Sequence, residues 1–218
     1  MRVGGCSVSQ AIHGAWGSLR ASPFPAIWPS SDADPCMPRA YLEEPMTELR
    51  PATPADVPAL AALKRDTFRE TFLEDFAIPY PQADLMVFEA SAYGVDAVAR
   101  ELADPQRRTW VVSEGDELLA YAQVGPCKLP HPDVAPAAGE LYQLYARRGA
   151  QGQGLGRALL DVALDHLATA FAGPAWIGVW SGNLRAQRVY LARGFEKVGE
   201  YDFPVGSWMD HEFILRRG

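Results

Sequence analysis

The stretch Gln151-Gly152-Gln153-Gly154-Leu155-Gly156-Arg157 combines residue types and spacing that speak directly of chemistry. It follows a segment that reads as a strand and opens one that reads as a helix. At such a junction free main-chain N–H groups and the positive end of a helix dipole bind an anion. Glycine carries no Cβ, so the backbone can come close to a phosphate oxygen. The pattern is therefore a phosphate cradle, and its spacing narrows whose phosphate. A dinucleotide site wants GxGxxG and an acid about 20 residues further on to hold a ribose. Here the glycines fall as GxGxG, and the strand Trp176–Trp180 ends without an acid. A P-loop ends in Gly-Lys-Ser/Thr, whereas this turn runs Gly156-Arg157-Ala158. A tight turn chosen only for packing is the bland alternative. Three alternating glycines at a helix start make it the weaker account.

Other reactive side chains are sparse. Cys6, Cys36 and Cys127 show neither CxxC nor His/Cys ligand spacing, and His131 and His211 have no partner at ligand or triad spacing. His166 falls near the apolar side of its helix and reads as packed. No metal is assigned, and an odd, scattered set of cysteines suggests a reducing compartment.

The elements that must position the turn follow from periodicity and breakers. Thr47–Ala52 reads as a short first strand, and Pro54-Ala55-Asp56 starts a helix carrying Leu60, Leu63, Phe68 and Phe72. A second helical pattern runs from about Asp84 to Leu102 and stops at Asp104-Pro105. Arg108–Ser113 and Leu118–Val124, around the turn Glu114–Glu117, form a hairpin signal. The loop Gly125–Gly139 holds four prolines and is expected to be exposed and to border a site. The strand Glu140–Ala146 leads into the turn, and a long helix follows from Gly154 to about Phe171. Its apolar residues Leu155, Ala158, Leu159, Val162, Leu167 and Phe171 face away from Arg157, Asp161 and Asp165. After the strand Trp176–Trp180 comes a helix from Asn183 to Arg193, stopped by Gly194, with Phe195 placed for the apolar contact of a glycine C-cap. Two last strands are read at Glu196–Phe203 and Trp208–Arg216.

A chain of 218 residues, 48% hydrophobic and 22% charged, suits one domain with a real core. Its 20 basic and 27 acidic side chains give a net charge of −7, which argues against nucleic acid or an anionic membrane as partner and is compatible with a cationic substrate. No apolar run approaches the ~20 residues of a membrane span, and no secretory signal is read at the N-terminus; a cytoplasmic location is the default. Residues 1–45 differ from the rest. They are rich in breakers around Ser22–Ser31 and Asp32–Pro35, and read as a mobile extension to a domain over 46–218, with Met46 as an alternative start.

Two segments together carry a family resemblance. Gln151-x-x-Gly154-x-Gly156 fits the pattern Gln/Arg-x-x-Gly-x-Gly/Ala, and Asn183-Leu184-Arg185-Ala186-Gln187-Arg188-Val189-Tyr190-Leu191-Ala192-Arg193-Gly194-Phe195 fits N-x-x-A-x-x-x-Y-x-x-x-G-F. In this order, with one helix and one strand between them, they resemble the GNAT N-acetyltransferases. The resemblance extends from about Met46 to Arg217. It implies an α/β fold with a mixed, mostly antiparallel central sheet flanked by helices, and acetyl-CoA as co-substrate. Asp66–Phe72 and Asp210-His211-Glu212-Phe213 are similar to the PaiA branch, which acetylates polyamines such as spermidine and spermine. The implied partner is a small-molecule amine, and dimers are frequent among relatives, so a homodimer is possible.

The same resemblance implies site residues. The turn Gln151, Gly152, Gln153, Gly154, Leu155, Gly156 and Arg157 would hold the coenzyme A diphosphate, with Asn183 contacting the pantetheine arm. A splayed strand at Leu144, Tyr145 and Ala146 would pair with that arm and offer an N–H to the oxyanion. Arg185 and Arg188 could add contacts to phosphates. Tyr190, two helical turns after Asn183, is the expected proton donor to the leaving thiolate, against a bland reading as a core aromatic beside Val189 and Ala186. Glu140 is the candidate base, against a solvated charge at a strand end, with Tyr142 as another polar group on that strand. Acetylation of a different amine (an antibiotic, an amino acid or a protein N-terminus) and a non-catalytic acyl-CoA-binding module are the competing readings. A proton donor at the sulfur favours the enzyme.

Overall fold

Period-two and period-3.6 patterns sort into one sheet and the helices on its faces. The computed structural model describes residues 46–218; the extension read over residues 1–45 lies outside them. Strand β1 (Thr47–Pro51) leads through a capping box, in which Asp56 accepts from Thr53 N–H at 2.7 Å and pairs with Arg50, into α1 (Val57–Phe68). There follow a π-helical segment (Arg69–Asp75), α2 (Gln82–Tyr93), α3 (Val95–Ala103), β2 (Arg108–Glu114), β3 (Glu117–Pro126), β4 (Gly139–Ala146), α4 (Leu155–Ala170), β5 (Ala175–Trp180), α5 (Leu184–Leu191), β6 (Glu196–Val205) and β7 (Trp208–Arg217). The seven strands form one sheet in the order β1-β2-β3-β4-β5-β7-β6. All neighbours are antiparallel except β4 and β5. The mixed, mostly antiparallel sheet expected from the resemblance is the architecture found.

One irregularity decides where a site can form. The parallel pair β4–β5 registers only Gly139↔Ala175, Glu140↔Trp176 and Leu141↔Ile177. Beyond that point β4 keeps its partners on β3 alone, up to Ala146↔Ala120. The strands splay apart and leave one edge of Tyr142–Ala146 without a strand partner among the described residues. The β3–β4 register slips at the same height: Gln143 faces Gln123 while Leu141 faces Val124, so Tyr142 is the extra residue of a bulge, which bends the strand.

The helices close the two faces. Leu159, Leu160, Ala163, Leu164 and Leu167 of α4 pack on Val112, Ala120, Ala122, Val124, Leu141, Ile177, Val179 and Leu215. Each fully buried leucine there contributes on the order of 2 kcal/mol. The buried stripe lies slightly rotated from the one read in the sequence: Ala158 is exposed, while Leu160, Ala163 and Leu164 are core. On the opposite face α1 and α3 cover Val111, Leu118 and Tyr121. The single helix expected over Asp84–Leu102 is two, because Gly94 adopts extended backbone (φ −63°, ψ 148°) and caps α3. Gly194 (φ 82°) ends the last helix as expected, and Phe195 is buried against Tyr190. The proline-rich loop is less exposed than expected, since Leu129 and Ala138 are buried with Trp176 and Ile214.

Candidate active site

The glycine turn is shaped by its backbone. Gly152 and Gly154 have φ of +84° and +85°, a region L side chains rarely adopt, and a Cβ on Gly152, Gly154 or Gly156 would meet nothing within 4 Å among the described residues. Packing therefore does not account for these glycines. The first bond inside α4 runs from Ala158 N–H to Gly154 O at 3.0 Å, so the amides of Leu155, Gly156 and Arg157 precede the helical ladder. Gln151 ties the turn to the open end of β4: its Nε2 donates to Ala146 O at 3.3 Å, and its Oε1 accepts from Arg185 at 2.6 Å.

A cavity of about 700 Å³ runs along this turn and is lined by Gln151, Gly152, Gly154, Leu155, Gly156, Arg157, Asn183 and Arg185, and by Leu144, Tyr145 and Ala146 of the splayed edge. This is the set of cofactor residues expected from sequence, save Gln153, whose side chain bonds to Gly149 O instead. Arg188 lies outside the lining. Thr71, Phe76, Val189 and Arg193 are also part of the wall; Thr71 belongs to the π-helical segment and falls within Asp66–Phe72, whose similarity to the PaiA branch gave it no role. Asn183 also caps α5, its Oδ1 accepting from Ala186 N–H at 3.0 Å, so the residue type has a structural use as well.

A second cavity, about 430 Å³, opens on the other side of the splay. Leu144, Tyr145, Asn183, Ala186 and Tyr190 line both. Tyr190 is thus a core aromatic, 7% exposed, and also part of the wall where the cavities meet. Among the described residues its hydroxyl has no hydrogen-bond partner, and burial pushes its pKa up to about 12.

The second cavity is walled by Phe68, Phe72, Phe88, Tyr93, Trp180 and Phe203, and it holds carboxylates. Glu101 is neutralised by Lys64 and Arg107. Glu140, Asp210 and Glu212 form no ion pair among the described residues. Glu140 is buried, accepts from Lys128 N–H at 2.8 Å, and has its pKa raised to about 7 by burial, against the hydrogen bonds of Lys128 and Cys127 and the charge of Lys128. Burial also raises Asp210, held by Tyr80 and by Trp208 Nε1 at 3.0 Å, and Glu212, held by Tyr201 at 2.5 Å. Gly178 makes room for the last pair, because a Cβ there would stand 2.8 Å from Tyr201 Oη and 2.9 Å from Glu212 Oε2. Tyr142 gives its hydroxyl to Pro126 O, and burial raises its pKa. His166 packs edge-on against Trp110, as its helical position suggested. Among the described residues no cluster of potential metal ligands occurs, and no helix is long and apolar enough to cross a membrane.

Comparison with known proteins places this geometry in a family. Residues 65–195 match the Acetyltransferase (GNAT) family, and the chain belongs to it. Its activity is acetyl transfer to nitrogen with acetyl-CoA as co-substrate. Among similar proteins, an uncharacterized N-acetyltransferase of Lactobacillus delbrueckii subsp. lactis is 26% identical over 74% of this chain and 91% of its own. A mycothiol acetyltransferase of Beutenbergia cavernae is 38% identical over 46% of this chain, which spans 33% of that longer protein. The PaiA N-acetyltransferase of Thermoplasma acidophilum, solved with coenzyme A, shares the fold: TM-score 0.61 at 17% identity, over 79% of this chain and 98% of that one.

Proposed function

We propose that the turn cavity holds acetyl-CoA, that the carboxylate cavity holds a primary amine bearing further positive charge, and that acetyl transfer occurs where they meet at Tyr190. A polyamine such as spermidine or spermine is the acceptor that fits best. The observation that carries this reading is the trio Glu140, Asp210 and Glu212, largely buried and in no ion pair among the described residues, in an aromatic-walled cavity. Burying a carboxylate costs free energy that a bound cation offsets. Aromatic faces suit both the methylene spacers and the ammonium groups of such a ligand.

The fit to the co-substrate rests on the open, Cβ-free turn at the start of the 16-residue helix α4 and on the unpaired edge of β4. Acetyl-CoA supplies an acyl carbon activated by a thiolate leaving group. The amides of Leu155, Gly156 and Arg157 and the Arg157 and Arg185 side chains hold its diphosphate, and Asn183 faces its arm. A main-chain N–H within Leu144–Ala146 stabilises charge on the acyl oxygen. Glu140, with a pKa of about 7, takes a proton from the acceptor ammonium, directly or through water. Tyr190 keeps its proton until the sulfur departs, donates it to the thiolate, and as phenolate takes up the second proton that the nitrogen loses as the amide forms; the burial that raises the phenol also raises the basicity of a thiolate beside it.

Thiol release from acetyl-CoA, followed across spermidine, spermine, simple diamines, amino acids, an aminoglycoside and a peptide N-terminus, tests this. Turnover is expected to be highest with the polycations. Preference for a monoamine or an amino acid would contradict the polyamine reading, and acetyl-CoA binding without turnover of any amine would contradict the enzymatic one.

A further inference from the structure

Gln143 follows the Tyr142 bulge and precedes Leu144 and Tyr145, the two β4 residues that line both cavities. It lines the carboxylate cavity and not the turn cavity. Its Oε1 is fully buried and has no hydrogen-bond partner among the described residues. The contrast with its cross-strand neighbour is sharp. Gln123, paired with Gln143 in register, gives its Nε2 to Thr109 Oγ1 at 3.1 Å and reaches Glu101 at 3.4 Å. Two glutamines thus face each other across the sheet, one amide engaged and the other not. Buried polar groups without partners are rare because each costs free energy in the resting fold. No hydrogen bond from the described residues fixes which end of the Gln143 amide faces the cavity, so a half-turn of the group presents its carbonyl oxygen there.

We propose that Gln143 binds the acceptor, its side-chain oxygen accepting a hydrogen bond from an N–H of the attacking amine and aiming the nitrogen lone pair at the acyl carbon. This rests on the reading of the carboxylate cavity as the acceptor site. Glu140 takes the ammonium proton; Gln143, which does not titrate, holds the nitrogen that remains. A site with an unpaired hydrogen-bonding group also rejects acceptors that lack the matching N–H, so the residue favours primary amines over oxygen nucleophiles that present no second hydrogen.

The test uses Gln143→Met, which keeps length and removes the amide. With the best amine of the panel, kcat/KM for the acceptor is expected to fall about tenfold or more, with KM for acetyl-CoA unchanged within about twofold. The melting temperature is expected to stay level or rise, because an unsatisfied buried group has been removed. The pH dependence should keep its shape, unlike that of Glu140→Gln. A lower melting temperature with both substrates weakened alike would make Gln143 structural, and unchanged acceptor kinetics would mean that the amine never meets the amide. A wild-type enzyme that turns over an amine other than a polyamine overturns only the polyamine reading, and the comparison is then made with that amine. A wild type that acetylates no amine overturns both.

Discussion

Glu140 and Tyr190 are both raised by burial, and the consequences differ because one is charged when it works and the other is not. For Glu140 the folded pKa of about 7 lies above the ordinary 4.5. Between those values the folded chain binds more protons than the unfolded one, so Glu140 costs stability progressively as pH rises through this window, and the cost is complete above about 7. By size of shift that is at most roughly 3 kcal/mol. Glu140→Gln is therefore expected to melt several degrees higher than wild type at pH 8 and nearly level with it at pH 4.5, checked by thermal unfolding at both values. The same variant should lose acceptor turnover about 100-fold or more and with it the acid limb near pH 7 in kcat/KM. An acid limb that survives would assign the proton to another group. Glu140 was legible as a candidate from its place before the turn. Its burial was not, because that depends on the loop carrying Cys127 and Lys128 folding over it.

The elements owe their positions to contacts of different range, and this sets what the sequence revealed. The turn and α4 are adjacent in the chain, and both motifs are local; the resemblance they carry led to the turn-cavity residues. Asp210 and Glu212 were visible as a short motif without a role. Their convergence with Glu140 requires β7 to insert between β5 and β6, a long-range order no local pattern specifies. The Tyr142 bulge, the break at Gly94 and the π-helical segment were likewise hidden, since one extra residue or a wider helical turn leaves the apolar spacing almost unchanged. The turn gives a clean test because Gly156 has ordinary φ and open space around its missing Cβ. Gly156→Ala should leave the melting temperature level or slightly higher, yet weaken acetyl-CoA binding by about tenfold in a titration, through loss of close approach. Gly154→Ala should in addition cost about 1–2 kcal/mol of stability, because its φ of +85° strains any side chain. Undiminished acetyl-CoA affinity in Gly156→Ala would remove the diphosphate from this turn.

At the scale of the molecule, two cavities share Leu144 and Tyr145 of the splayed strand together with Asn183, Ala186 and Tyr190. The described domain carries every residue invoked, and we propose that it suffices: a chain beginning at Met46 is expected to match the full chain in melting temperature and turnover, and loss of either would give residues 1–45 a part in the site. Acetyl transfer depends on the cavities joining at Tyr190, which lines both. This dependence is tested most directly by single-turnover acetyl transfer from pre-bound acetyl-CoA to spermidine, in wild type and in Tyr190→Phe, with the acetyl-CoA Kd measured on the same samples. An unchanged Kd is expected, with a transfer rate lower by about 100-fold, the size typical of losing a positioned proton donor. An unchanged rate, or a rate and an affinity lost together, would contradict this role of Tyr190.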